Sequence, residues 1–166
     1  MRKLLVAFGA LAVLVPAAVP AANVNSELAA VRQATAKYHQ VKNALAAGYV
    51  ADPVCVESPA GGMGFHYVNR ALVMDPAIDP LRPEALLYAP SGNGLRLVAV
   101  EWLQFSNVFF PAPAPTAPKQ SLFGREFDGW MPGHNPVMPW HAELHAWIWQ
   151  ANPVGIFASW NPKVGC

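Results

Sequence analysis

The chain has 166 residues, about one domain's worth, with 11 Lys+Arg against 10 Asp+Glu and a formal charge of +1 at pH 7. Only 13% of residues are charged and 54% are hydrophobic, which excludes a disordered chain and leaves no basic stripe of the kind nucleic acid requires.

Arg2 and Lys3 form a short positive start, followed by the apolar stretch Leu4 to Val15, the breaker Pro16 and a run of small residues from Ala17 to Ala22. This order predicts a secretory signal peptide over 1–22, cleaved after Ala21 or Ala22, with no cysteine at the junction to carry a lipid anchor. The stretch is shorter than the roughly 20 residues of a membrane span, and no later segment is apolar enough to make one. Residues 23–166 are then expected to form a single exported α+β domain, periplasmic or extracellular. Cys55 and Cys166 both lie in it, and two cysteines in an oxidising compartment predict one disulfide. The alternative, a pair of free thiols for metal or redox work, lacks a Cys-x-x-Cys spacing to support it.

Residues 26–47 carry a helical pattern. Ser26 is placed to cap, Glu27 suits the positive N-terminus and Gly48 is a stop. Leu28, Val31, Thr35, Tyr38 and Leu45, with Ala34 and Val41 beside them, form one apolar stripe, and His39 lies at its edge as a surface residue. After Gly48 come short aromatic and branched runs at 64–69, 85–88, 95–105 and 141–150, with a hairpin turn signal in Ser91-Gly92-Asn93-Gly94. Pro111 to Pro118 alternates proline with small residues and reads as an extended surface loop. The expected fold is an N-terminal amphipathic helix packed on an antiparallel sheet, open or closed into a small barrel.

The segment His141-Ala142-Glu143-Leu144-His145-Ala146-Trp147-Ile148-Trp149 carries the most chemistry. As a strand it places His141, Glu143, His145, Trp147 and Trp149 on one face and only apolar residues on the other. Two imidazoles flanking a carboxylate suit Zn²⁺, Fe²⁺ or Cu²⁺. His66 lies in a glycine-rich stretch that lets other segments approach, and Glu101 is the only charge in the apolar run 97–103. A buried carboxylate there needs a cation or hydrogen-bond donors. A metal held by His66, Glu101, His145 and His141 supplies one, with Glu143 as catalytic base or as the group that orients the ligands. A polar core without metal is the competing reading, with Glu101 paired to Arg70, Arg82 or Arg96.

Three further readings follow from the same residues. Met131, His134, Met138 and His141 form a thioether–imidazole set that suits Cu(I). Trp147, Trp149 and Tyr67 offer an aromatic groove for a small molecule, in which case the protein is a non-enzymatic binding module. Glu101 and Glu143 have the composition of a glycosidase pair. The sequence has no nucleophile elbow, and Gly61 to Gly64 lacks the Lys-Ser/Thr of a phosphate loop.

Gly-Met-Gly-x-His-Tyr-x-Asn at 62–69, Arg-Pro-Glu-x-Leu-x-Tyr at 82–88, Leu-His-x-Trp-x-Trp-x-x-Asn-Pro-x-Gly-x-Phe at 144–157 and the tail Trp160-Asn161-Pro162-x-Val164-x-Cys166 resemble a widespread bacterial family of exported proteins of uncharacterised activity. The resemblance runs from Ala47 to Cys166 and implies export and a shared architecture but no reaction. His66 and His145 fall within these motifs, and Glu101 lies within the span the resemblance covers.

Overall fold

The computed structural model describes residues 23–133 and 137–166; the expected signal peptide and His134 lie outside the described residues. The helical region is two pieces, α1 (Val24–Thr35) and α2 (Val41–Ala46), joined by a 3-10 turn (Ala36–His39). The cap is Asn23, three residues before the expected Ser26. Asn23 is extended, its side chain accepts from the Asn25 amide, and Ser26 Oγ donates to the Asn23 carbonyl. Gln40 is also extended (φ −90°, ψ 104°), which breaks the expected single helix and shifts its phase. Leu28, Val31, Thr35 and Tyr38 are buried as the stripe requires, but beyond the break Ala44 turns inward and Leu45 is 53% exposed.

The strands are β1 (Tyr49–Ser58), β2 (Gly61–Asn69), β3 (Ala85–Ser91), β4 (Gly94–Phe109), a small hairpin β5 (Ser121–Leu122) and β6 (Arg125–Glu126), then β7 (Asp128–Met131) and β8 (Pro139–Ala146). A one-turn helix α3 (Arg70–Val73) follows β2. Six strands form one antiparallel sheet in the order β1-β2-β3-β4-β8-β7. The sheet is open, not a barrel: its edge strands β1 and β7 do not pair with each other among the described residues. The β3–β4 hairpin turns as expected, with Gly92 at φ 56° in the first central position of its two-residue loop.

Each face of the sheet is covered. One face carries Tyr67, Leu86, Tyr88, Val100, Trp102, Ala142 and Leu144, packed with Leu28 and Val31 of α1. Burying each of those two aliphatic side chains contributes about 1.5–3 kcal/mol. The Tyr88 hydroxyl donates to the Tyr38 carbonyl (2.6 Å) and Arg32 Nε to the Ile148 carbonyl (2.9 Å), which ties the helical layer to the sheet. The opposite face carries a smaller cluster of Met63, Ala85, Leu87, Ala99, Leu103 and Trp147, covered by the C-terminal segment through Val164 and Trp160.

That segment lies directly on β2. The Gly62 amide donates to the carbonyls of Asn161 and Val164, and the Asn161 amide donates back to the Gly62 carbonyl. The approach requires glycine: a Cβ on Gly61 would sit 2.4 Å from the Asn161 carbonyl. The Cys55–Cys166 disulfide then joins the chain end to β1, closing a loop with a sequence separation of 111. No described helix is long and apolar enough to cross a membrane.

Candidate metal centre

Strand pairing brings the ionisable residues together on the smaller-cluster face. Glu101 of β4 stands directly opposite His145 of β8, with Leu103 opposite Glu143 and Phe105 opposite His141. His66 of β2 pairs with Leu87, which pairs with Ala99, two residues before Glu101. Ala85 lies between Val68 and Glu101 in the neighbouring row. Its small side chain leaves the space across which His66 and Glu101 reach each other.

The result is an alternating array of imidazole and carboxylate. His66 Nε2 lies 3.5 Å from Glu101 Oε2, and His145 Nε2 lies 3.7 Å from Glu101 Oε1. The other ring nitrogen of His145, Nδ1, is 3.6 Å from Glu143 Oε1, and His141 Nε2 is 3.4 Å from Glu143 Oε2. Glu101 and His145 are each 1% exposed, Glu143 3% and His141 not at all, whereas the His66 side chain keeps 14% of its surface. One ligand atom each from His66, Glu101 and His145 falls within 4.8 Å of the others.

These separations exceed the ordinary hydrogen-bond range of about 2.7–3.2 Å. The His66–Glu101 contact has the spacing of neighbouring ligand atoms around a tetrahedral metal, about 3.3–3.6 Å for bonds of 2.0–2.2 Å, while the three-donor set as a whole is looser, within 4.8 Å. Both nitrogens of His145 and Glu101 Oε2 are buried and make no hydrogen bond among the described residues. Leaving a buried polar group unpaired costs about 1–3 kcal/mol. Among the described residues Glu101 has His66 and His145 as its basic ion-pair neighbours and no arginine; Arg96, one of the expected partners, bonds the side chain of Gln150.

The electrostatics follow from burial. Burial, and then the neighbouring Glu143, push the Glu101 carboxyl well above its usual range. Burial also raises Glu143, but His145, His141 and the hydrogen bond with Glu101 outweigh it, so Glu143 falls below the usual range. The two carboxyls are thus pushed in opposite directions, Glu101 toward its protonated form and Glu143 toward its charged one. Burial lowers His145, which keeps its ring neutral and a lone pair available. Two carboxyls in mutual contact leave no room for a sugar between them, so the glycosidase arrangement is not formed.

Of the aromatic residues expected to line a groove, Tyr67 packs in the helix-side core and Trp147 in the opposite cluster, where its Nε1 donates to the Ala158 carbonyl. Because β8 ends at Ala146 rather than continuing to 150, Trp149 leaves the strand face and meets His39, with ring centroids 4.3 Å apart. The thioether–imidazole set includes His134, which lies outside the described residues.

Two features had weaker signals in the sequence. Glu84, at the start of β3, is 1% exposed and its Oε2 accepts from the Leu103 amide, bracing the stretch of β4 that carries Glu101. Burial raises its pKa to about 7. The proline- and aspartate-bearing stretch at 75–81 followed by Arg-Pro-Glu gives no sign that this carboxylate turns inward. The second feature is a groove of about 460 Å³ between the two edge strands, with Glu143 in its lining. Compared with known proteins, the chain matches no family model, no curated protein and no solved structure.

Proposed function

We propose that this is an exported protein that holds one divalent transition metal on His66 Nε2, Glu101 and His145 Nε2. The carrying observation is the convergence of these three donors within 4.8 Å of one another, with Glu101 Oε2 and both His145 nitrogens buried and lacking hydrogen bonds among the described residues. Two imidazoles and one carboxylate suit Zn²⁺ or Fe²⁺, with Cu²⁺ the third choice. Three protein donors leave a coordination position for water or a ligand, and an ion there would polarise whatever occupies it.

Glu143 takes the orienting role in this reading rather than that of a base. It faces Nδ1, the nitrogen of His145 turned away from the ion, which is where a carboxylate fixes the ring of a metal-bound histidine. His141 stands behind Glu143 in turn. The disulfide suits an oxidising compartment, and the resemblance to an exported bacterial family supports the same location. Elemental analysis of mature protein purified by its export route without chelator tests the reading. Near-stoichiometric metal, lost in the His66→Ala/His145→Ala variant, is the expected result. Wild-type protein that is metal-free and takes up none of Zn²⁺, Fe²⁺ or Cu²⁺ on titration overturns it.

A further inference from the structure

The groove beside the metal centre has a composition of its own. Val54 and Val56 come from β1, Met63 from β2, Met131 from β7 and Trp160 from the C-terminal segment, so the walls are aliphatic, thioether and aromatic. Residues from both edges of the open sheet line it, which means the sheet curls until β1 and β7 face each other across this gap. Among the described residues its lining contains no Lys, Arg or His. The two ionisable groups are Glu143 and Glu57, and Glu57 is exposed, with one oxygen already accepting from the Cys166 amide. Glu143 is different: it is 3% exposed, so the little surface it retains is held within apolar walls.

A carboxylate framed by an indole, two thioethers and valines is complementary to a cation with an apolar body. An ammonium group placed against Glu143 gains a charge-assisted hydrogen bond in a poorly solvated setting. The indole of Trp160 supplies a π face of the kind that attracts organic cations. Anionic ligands meet two carboxylates and, among the described residues, no counter-charge, and a strongly hydrated inorganic cation would leave the apolar walls unused. A volume of about 460 Å³ is within the usual range for a small-molecule site. We propose that this groove binds a compact organic ammonium ion, its nitrogen on Glu143 and its apolar body between Met63, Met131 and Trp160. The assignment goes beyond the metal reading and does not require it.

Benzylammonium chloride, benzyl alcohol and sodium benzoate share one shape and differ in charge, so they serve as probes by calorimetry and tryptophan fluorescence on mature protein of measured metal content. Benzylammonium should bind about tenfold more tightly than the alcohol, and benzoate should not bind. Glu143→Gln should bring benzylammonium down to the level of the alcohol. Val54 is 60% exposed at the rim and touches no metal donor, so Val54→Lys should keep the fold and metal content while weakening benzylammonium several-fold. Equal binding of ammonium and alcohol, no binding of any probe at millimolar concentration, or indifference to Val54→Lys would each overturn the proposal. Metal content is read separately on the same samples, so failure of the metal reading leaves this result interpretable.

Discussion

Glu84→Gln isolates the electrostatic cost of bracing the metal-site strand with a buried carboxyl. The side chain is 1% exposed, accepts from the Leu103 amide, and has its pKa raised from 4.5 to about 7 by burial. The unfolded chain releases this proton near 4.5, whereas the folded chain keeps it to about 7. Between those values the folded state binds more protons, so stability is full below 4.5 and falls as pH rises through the folded pKa. A shift of this size amounts to about 3 kcal/mol at 1.36 kcal/mol per unit. Glutamine keeps an oxygen for the Leu103 amide and cannot ionise, and its extra N–H adds an offset that does not vary with pH. Urea unfolding of both proteins with chelator present, at steps from pH 5 to pH 8.5, gives the comparison. The variant should gain about 2.5 kcal/mol on the wild type across this range, most of it between pH 5 and 7. Stability curves that stay parallel to within about 0.5 kcal/mol would refute the assigned burial cost.

Three other outcomes can be checked. Zn²⁺ binding should displace the proton that burial and Glu143 hold on Glu101, so affinity should rise with pH. Calorimetry near pH 6 in buffers of unequal ionisation enthalpy should then read about one proton released per ion, and fewer in Glu101→Gln; pH-independent affinity would contradict this. Replacing Cys55 and Cys166 together by serine opens a loop with a sequence separation of 111, which should cost about 4–5 kcal/mol in urea unfolding, with reductant lowering the wild type to match. Gly64→Ala should destabilise by more than about 2 kcal/mol, because φ is +89° and a Cβ would lie 2.3 Å from the Tyr88 carbonyl oxygen. Gly92→Ala, where φ is +56° but nothing lies within 4 Å, should cost only about 1 kcal/mol, and equal losses at the two positions would show that the close approach is not what matters.

The parts legible in the sequence are those set by local alternation. His141, Glu143 and His145 share a face because β8 is a strand, and Ala142, Leu144 and Ala146 fill the other face for the same reason. The isolated charge of Glu101 within an apolar run marked it as buried, and it is. What could not be read is whatever depends on long-range pairing. β1 contains Pro53 and stretches of exposed residues, so it has no clean alternation; its place at the sheet edge comes from β2 and the disulfide. The break at Gln40 has no proline or glycine to announce it and moved burial from Leu45 to Ala44. Tyr67 and Trp147 pack in different clusters, a placement that residue type alone does not reveal.

A purely structural account of the array faces an energetic difficulty. Two carboxyls and two imidazoles are almost fully withdrawn from water, and among the described residues His145 has no hydrogen bond at either nitrogen. Apolar side chains of similar volume would remove those unmet polar groups, and replacing buried ionic groups in that way is often neutral or stabilising. The surrounding residues have the opposite character. Ala85 and Ala99 keep the sheet low under the donors, Gly61 and Gly62 admit the C-terminal segment over β2, and the disulfide fixes that segment to β1. Small residues and a clamped cover hold space around polar atoms instead of filling it. A cation turns the same arrangement from a cost into a gain, since each unpaired lone pair on Glu101 and His145 becomes a bond to the ion. The stability rise on adding metal should therefore be large in the wild type and absent once Glu101 and His145 are replaced by an apolar pair such as Met and Leu, a variant that should be more stable than the metal-free wild type.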